Sequence, residues 1–136
     1  MRTLIDTSFT VALVSERDED HEKAIELSLQ YTRKPMLITD AVMLEIGNSL
    51  SRRHRKESVE AIEGFFASTE VEIVRLNEVL FEKAFELYKS HMDKAWGLVD
   101  CISFIVMREN NITDALTSDK HFVQAGFRAV LLDLEN

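Results

Sequence analysis

The chain has 136 residues, 46% of them hydrophobic and 29% charged, with four Gly and one Pro. That composition excludes a disordered or collagen-like chain, and at this length folding buries roughly two-thirds of the unfolded surface, so a core needs neither disulfides nor a structural metal. Sixteen basic against 24 acidic residues leave a net charge of −8, which excludes holding nucleic acid or anionic lipid by bulk charge; phosphate chemistry then requires a local reversal of the field, such as a bound divalent cation.

Thr3-Leu4-Ile5 reads as a short strand ending in the polar turn Asp6-Thr7-Ser8, and Phe9, Val11, Ala12 and Leu13 predict a helix capped by Ser8. The uncharged stretch Thr7 to Ser15 is too short to span a bilayer, and Asp6 interrupts any signal-peptide pattern, so a soluble, unprocessed, cytoplasmic protein with no membrane partner is expected. The charged residues 16–23 read as a solvated helix entry leading into Ala24, Ile25, Leu27, Leu29 and Tyr31. Pro35 opens a second strand, Met36 to Thr39, and Asp40 is placed to cap a third helix with the stripe Val42, Met43, Ile46 and Leu50. A basic run, Arg52-Arg53-His54-Arg55-Lys56, closes that helix.

Glu57 to Phe66 reads as helix, Val71 to Val74 as strand, and Glu78 to Tyr88 as helix through Val79, Leu80, Ala84 and Leu87. Cys101 to Met107 carries no charge and predicts a helix buried on most of its circumference, opened by Val99 and Asp100. Ala115-Leu116-Thr117 reads as strand, Asp119 to Gln124 as a short helix closed near Gly126, and Ala129 to Leu132 as a last strand. About five short strands among six or seven helices imply βαβ units: an α/β fold with a mostly parallel sheet and helices on both faces. No linker divides the chain, so residues 1–136 read as one domain. In such sheets ligands collect beyond the carboxyl ends of the strands.

Four acids occupy such positions or border the core: Asp6 after the first strand, Glu45 in the third helix, Asp100 at the entry of the buried helix, and Asp119 after a late strand. Each has a bland reading. Asp6 suits an Asx turn, Asp119 a helix cap, and Asp100 the first-turn dipole of its own helix. Glu45 lies about 60° outside its helix's apolar stripe, where it can also snorkel to water. If the carboxylates share a cleft, mutual repulsion raises their pKa values unless a cation is present, and hard oxygen ligands suit Mg²⁺ or Mn²⁺. His21, His54, His91 and His121 are scattered, with no His-Glu-x-x-His pairing, which argues against zinc. A divalent cation so held acidifies water and stabilises charge developing on a phosphodiester.

Asp6-Thr7-Ser8, Glu45 within Ala41-Val42-x-x-Glu45-Ile46-x-Asn48, the run Trp96 to Phe104 around Asp100, and Leu116-Thr117-Ser118-Asp119-Lys120-His121-Phe122 followed by Gly126-Phe127 together resemble the PIN domain. The likeness runs from Asp6 to Phe127. It implies a three-layer α/β/α sandwich, a single PIN-like domain, and a Mg²⁺- or Mn²⁺-dependent ribonuclease centre. Asp6, Glu45, Asp100 and Asp119 match the family's acidic, metal-holding quartet, while Ser8 and Thr117 match polar positions that hold waters or the neighbouring acids. A free-standing domain of this length is similar to VapC-like toxins of toxin–antitoxin modules, which implies an RNA substrate, a cognate antitoxin and a homodimer.

Other features carry rival readings. Arg52 and Arg53 either guide RNA phosphates or complement a helix C-terminus. Trp96 reads as core, Cys101 as a buried inert thiol, and Asp93 and Asp114 as loop or edge acids outside the site. The glycines at 47, 64, 97 and 126 form no phosphate-binding cluster, which excludes a P-loop. Ser8 stands where one class of aspartyl-phosphate enzymes carries a second Asp. The non-enzymatic rival is a PIN-like module that binds RNA or protein without cutting it.

Overall fold

A computed structural model describes residues 1–133. Its element order is β1 (Thr3–Ile5), α1 (Thr7–Val14), α2 (His21–Gln30), β2 (Met36–Thr39), α3 (Asp40–Leu50), α4 (Arg55–Ala67), β3 (Val71–Val74), α5 (Glu78–Ser90), α6 (Leu98–Glu109), β4 (Asp114–Leu116), α7 (Lys120–Gln124), β5 (Arg128–Ala129) and α8 (Val130–Asp133). The strands form one sheet in the order β3-β2-β1-β4-β5. Every pairing is parallel, as crossovers through helices require.

Alternation along the strands divides the core into the two faces of a three-layer sandwich. Leu4, Leu37 and Ala115 face a cluster with Leu80, Ala84 and Leu87 of α5, Phe104 and Met107 of α6, and Phe122 of α7. Ile5, Ile38 and Leu116 face the opposite cluster, built from Phe9 and Ala12 of α1, Leu27 of α2, and Val42, Ile46 and Leu50 of α3. The third-helix stripe read from the sequence is buried throughout, and the uncharged run 101–107 lies in the most buried helix. Trp96 is core: its ring stacks on His91 at 4.8 Å, meets Phe104 edge-on at 5.1 Å, and its Nε1 donates to Gln124 Oε1.

Several boundaries differ from the sequence reading. Helix α1 begins at Thr7, with Asp6 in the N-cap position and Ser8 already helical, because the Ser8 hydroxyl is engaged with Asp6 and Thr117. The cap of α3 is Thr39, whose Oγ1 accepts from Val42 N; Asp40 is the first helical residue and its Oδ1 accepts from Leu76 N instead. The chain turns after Ala129, so Val130 and Leu131 reach the core from α8 rather than from an extended strand. The basic run is also split. Arg52 and Arg53 lie in the turn after α3, whereas Arg55 and Lys56 open α4, so those two residues meet a helix N-terminus rather than a C-terminus.

Phe104 is fully buried and makes edge-on contacts with both Trp96 and Phe122, the latter at 5.0 Å. Truncation leaves a cavity at the centre of one layer. Phe104→Ala is expected to cost about 3–5 kcal/mol, read as a lower urea midpoint at unchanged slope.

Candidate metal centre

The parallel register determines which side chains meet. Pairing of Ile5 with Leu116 sets the carboxyl ends of β1 and β4 side by side, so that the next residues, Asp6 and Thr117, are neighbours. Asp6 is 5% exposed. Thr117 Oγ1 donates to Asp6 Oδ2 at 2.7 Å, and Ser8 Oγ donates to the same oxygen at 3.2 Å. Each hydroxyl is held from behind by a backbone N–H: Asp119 N donates to Thr117 Oγ1 and Ser118 N to Ser8 Oγ. Two short polarised relays thus converge on one carboxylate oxygen.

Glu45 projects from the middle of α3 and is half-buried, its Oε1 accepting from Thr7 Oγ1 at 2.7 Å. Asp100, in the first turn of α6, accepts from Gly97 N at 3.0 Å. Asp119 caps α7 through His121 N at 2.9 Å. The bland roles of Asp100 and Asp119 are therefore real, yet both carboxylates also meet at one spot. Asp100, Asp119 and His121 each offer a ligand atom, and these atoms lie within 4.8 Å of one another.

Asp6 and Glu45 border this cluster, and the charges act on one another across it. Burial, with added repulsion from Asp100 and Asp119, raises Asp6 to about 6 despite the Thr117 hydrogen bond. Asp100 is also raised, first by burial and further by Asp119 and Glu45, against the opposing Gly97 N–H and His121. All four acids therefore share one field. Such a grouping has a use when a cation supplies the missing positive charge.

The donors fit a divalent ion. His121 Nδ1 is buried and has no hydrogen-bond partner, although it stands 3.1 Å from Asp119 Oδ1 and 3.6 Å from Asp100 Oδ2. An orphaned nitrogen between two carboxylates is what a shared cation would satisfy.

The sequence reading missed two residues here. Thr7 orients Glu45, and its position between Asp6 and Ser8 offered the only hint. His121 corrects the view of four scattered histidines: its place two residues after Asp119, on the helix Asp119 caps, was the available signal. Asp93 and Asp114 lie elsewhere, paired with Lys94 and Arg128. Cys101 is buried, and desolvation, followed by the Asp100 charge, pushes its thiol up to about 11, so it is no nucleophile.

A parallel α/β/α sandwich carrying acids beyond adjacent strand ends defines a class of proteins built to handle phosphate esters with divalent metals. The family model described as the PIN domain matches residues 3–128. The chain belongs to the PIN-domain family. It is 32% identical over 125 residues, 90% of this chain and 93% of the relative, to the 23S rRNA-specific endonuclease VapC20 of Mycobacterium tuberculosis, in each of two strains. The crystal structure of Mycobacterium tuberculosis VapC20, described as a sarcin-ricin loop cleaving toxin, superposes with a TM-score of 0.84 at 30% identity, covering 92% of this chain and 95% of that one.

Because Asp6 is raised, the folded state prefers its protonated form. Its favourable contribution is present below about pH 4 and is lost as pH rises through about 6. In EDTA, the stability advantage of Asp6→Asn over the parent is expected to grow from pH 4 to 6 and level off above, reaching up to about 3 kcal/mol. Paired urea titrations across that range measure it.

Proposed function

We propose that this chain is a metal-dependent endoribonuclease, the toxin of a toxin–antitoxin module. The observation that carries the reading is the convergence of Asp6, Glu45, Asp100 and Asp119 in one field at the carboxyl ends of β1 and β4. These four side chains would hold Mg²⁺ or Mn²⁺. When bound, the cation supplies positive charge for the scissile phosphate and lowers the pKa of an attacking water.

The chain's own residues arrange the rest. Thr117 and Ser8 fix one oxygen of Asp6, which limits its rotation. Thr7 fixes Glu45, and the backbone N–H groups of Gly97 and His121 fix Asp100 and Asp119. A preset cage of this kind meets the metal with little reorganisation. The Cys101 thiol, buried and held protonated, offers no covalent nucleophile. Hydrolysis by water is the corresponding chemistry.

RNA is the substrate class, and the names of the relatives direct the first trial to 23S rRNA and its sarcin-ricin loop. A cognate antitoxin, a homodimer and a cytoplasmic setting belong to the same reading. No helix among the described residues is long and apolar enough to cross a membrane.

Purified protein incubated with RNA and Mn²⁺ or Mg²⁺ is expected to cleave, EDTA to abolish cleavage, and Asp6→Asn to lower the rate by at least about 100-fold. Cleavage that survives both EDTA and the substitution would refute the mechanism. Metal binding without cleavage of any RNA tried would favour a non-catalytic binding module.

A groove near the basic run supports the reading that arginines steer RNA phosphates. The groove, of about 550 Å³ between α1 and the end of α3, is lined by Arg17, Arg52 and Arg53 together with Glu16 and Glu57 over an apolar floor that includes Val14. Arg17, Arg52 and Arg53 are exposed, and they outnumber the two exposed acids of the same groove in a chain of net charge −8. The double substitution Arg52→Ala and Arg53→Ala is expected to weaken RNA binding and flatten its log–log salt dependence by roughly 1 to 2, with Mn²⁺ affinity unchanged. Filter binding at several salt concentrations reads it out, and unchanged RNA affinity would remove the arginines from the reading.

A further inference from the structure

The histidines of this chain do not share one environment. His21 Nδ1 lies 2.7 Å from Ala12 O, and His91 Nδ1 lies 3.0 Å from Leu87 O. Each has a backbone partner. His121 Nδ1 is buried and has none. It faces Asp119 Oδ1 at 3.1 Å and Asp100 Oδ2 at 3.6 Å, outside acceptable hydrogen-bond geometry with either.

These spacings have a natural explanation. Neighbouring ligands on one octahedral ion at about 2.1 Å stand about 3 Å apart. The two oxygens are also immobilised: Asp100 Oδ2 by Gly97 N and Asp119 Oδ1 by the backbone N–H of His121 itself. The imidazole and the carboxylate capping its helix are thus locked as a pair, with a ring nitrogen directed at the place where the two acids meet. Hydrogen bonding to protein does not account for that nitrogen.

We infer that His121 is a direct nitrogen ligand of the divalent cation, completing a set with Asp100 and Asp119, and that it tilts the centre toward Mn²⁺ over Mg²⁺. Mg²⁺ takes oxygen ligands and retains its waters, whereas imidazole suits the transition metals. This assignment adds a ligand outside the acidic quartet. It rests on the reading of that quartet as a metal centre.

The test uses the full chain loaded with Mn²⁺ alone, examined by pulsed electron paramagnetic resonance. The expected spectrum shows a directly coordinated ¹⁴N that converts to the ¹⁵N pattern when histidine is ¹⁵N-labelled and disappears in His121→Ala. Calorimetric titration with each ion should show the Mn²⁺-to-Mg²⁺ affinity ratio falling at least about tenfold in His121→Ala and His121→Gln, a loss comparable to removing even an outer partner of a ligand. A structural role alone would weaken both ions in parallel and leave the ratio intact, which would overturn the assignment. Bound Mn²⁺ without histidine coupling in the labelled parent protein would also overturn it, with the acidic centre still standing and no variant needed. Failure of the parent to bind either ion would overturn both the assignment and the centre on which it rests.

Discussion

Carboxylates crowded at a half-buried rim repel one another, and no arrangement of neutral donors fully removes that repulsion. In this protein, hydroxyls and backbone amides hold the acids in place, yet Asp6 is still raised to about 6 and Asp100 is raised as well. Donors of this kind position charge without neutralising it. The constraint on the site is therefore this mutual repulsion, and a hard divalent cation held among the acids would compensate it at little cost in geometry.

The sheet is what creates the crowding. Parallel pairing of β1 with β4 forces the residues after both strands to the same end, and the helices α1, α6 and α7 start from that end. Asp100 and Asp119 are fixed by helix-terminus amides, so the capping that completes each helix end also sets the geometry in which these acids would hold a metal. The same amides that complete a helix end also restrain the acid. Local stability and site geometry are coupled.

A net charge of −8 sits oddly with an RNA substrate until charge is resolved in space. The acids gather where a bound cation would reverse their field, and Arg17, Arg52 and Arg53 line, with Glu16 and Glu57, a groove beyond the end of α3. On the proposed reading, affinity for RNA would arise from these two local features rather than from the whole surface.

Strand and helix order was legible along the chain because buried parallel strands and amphipathic helices leave different apolar periods, and Val71–Val74 or the stripe Val42 to Leu50 shows them plainly. Caps were less legible: Ser8 and Asp40 are good capping residues by type, but both are engaged by groups distant in sequence, Thr117 and Leu76. The short β5 was overread for a related reason, since Val130 and Leu131 are apolar in either a strand or a helical turn. Residue type and order were enough to identify the family and to nominate the four acids. Only the folded chain placed Asp6 against Thr117, gave Thr7 to Glu45, and turned His121 toward Asp100 and Asp119. Those contacts depend on strand register and helix phase, which are set by packing between segments as far as 111 residues apart and leave no periodic trace in the sequence.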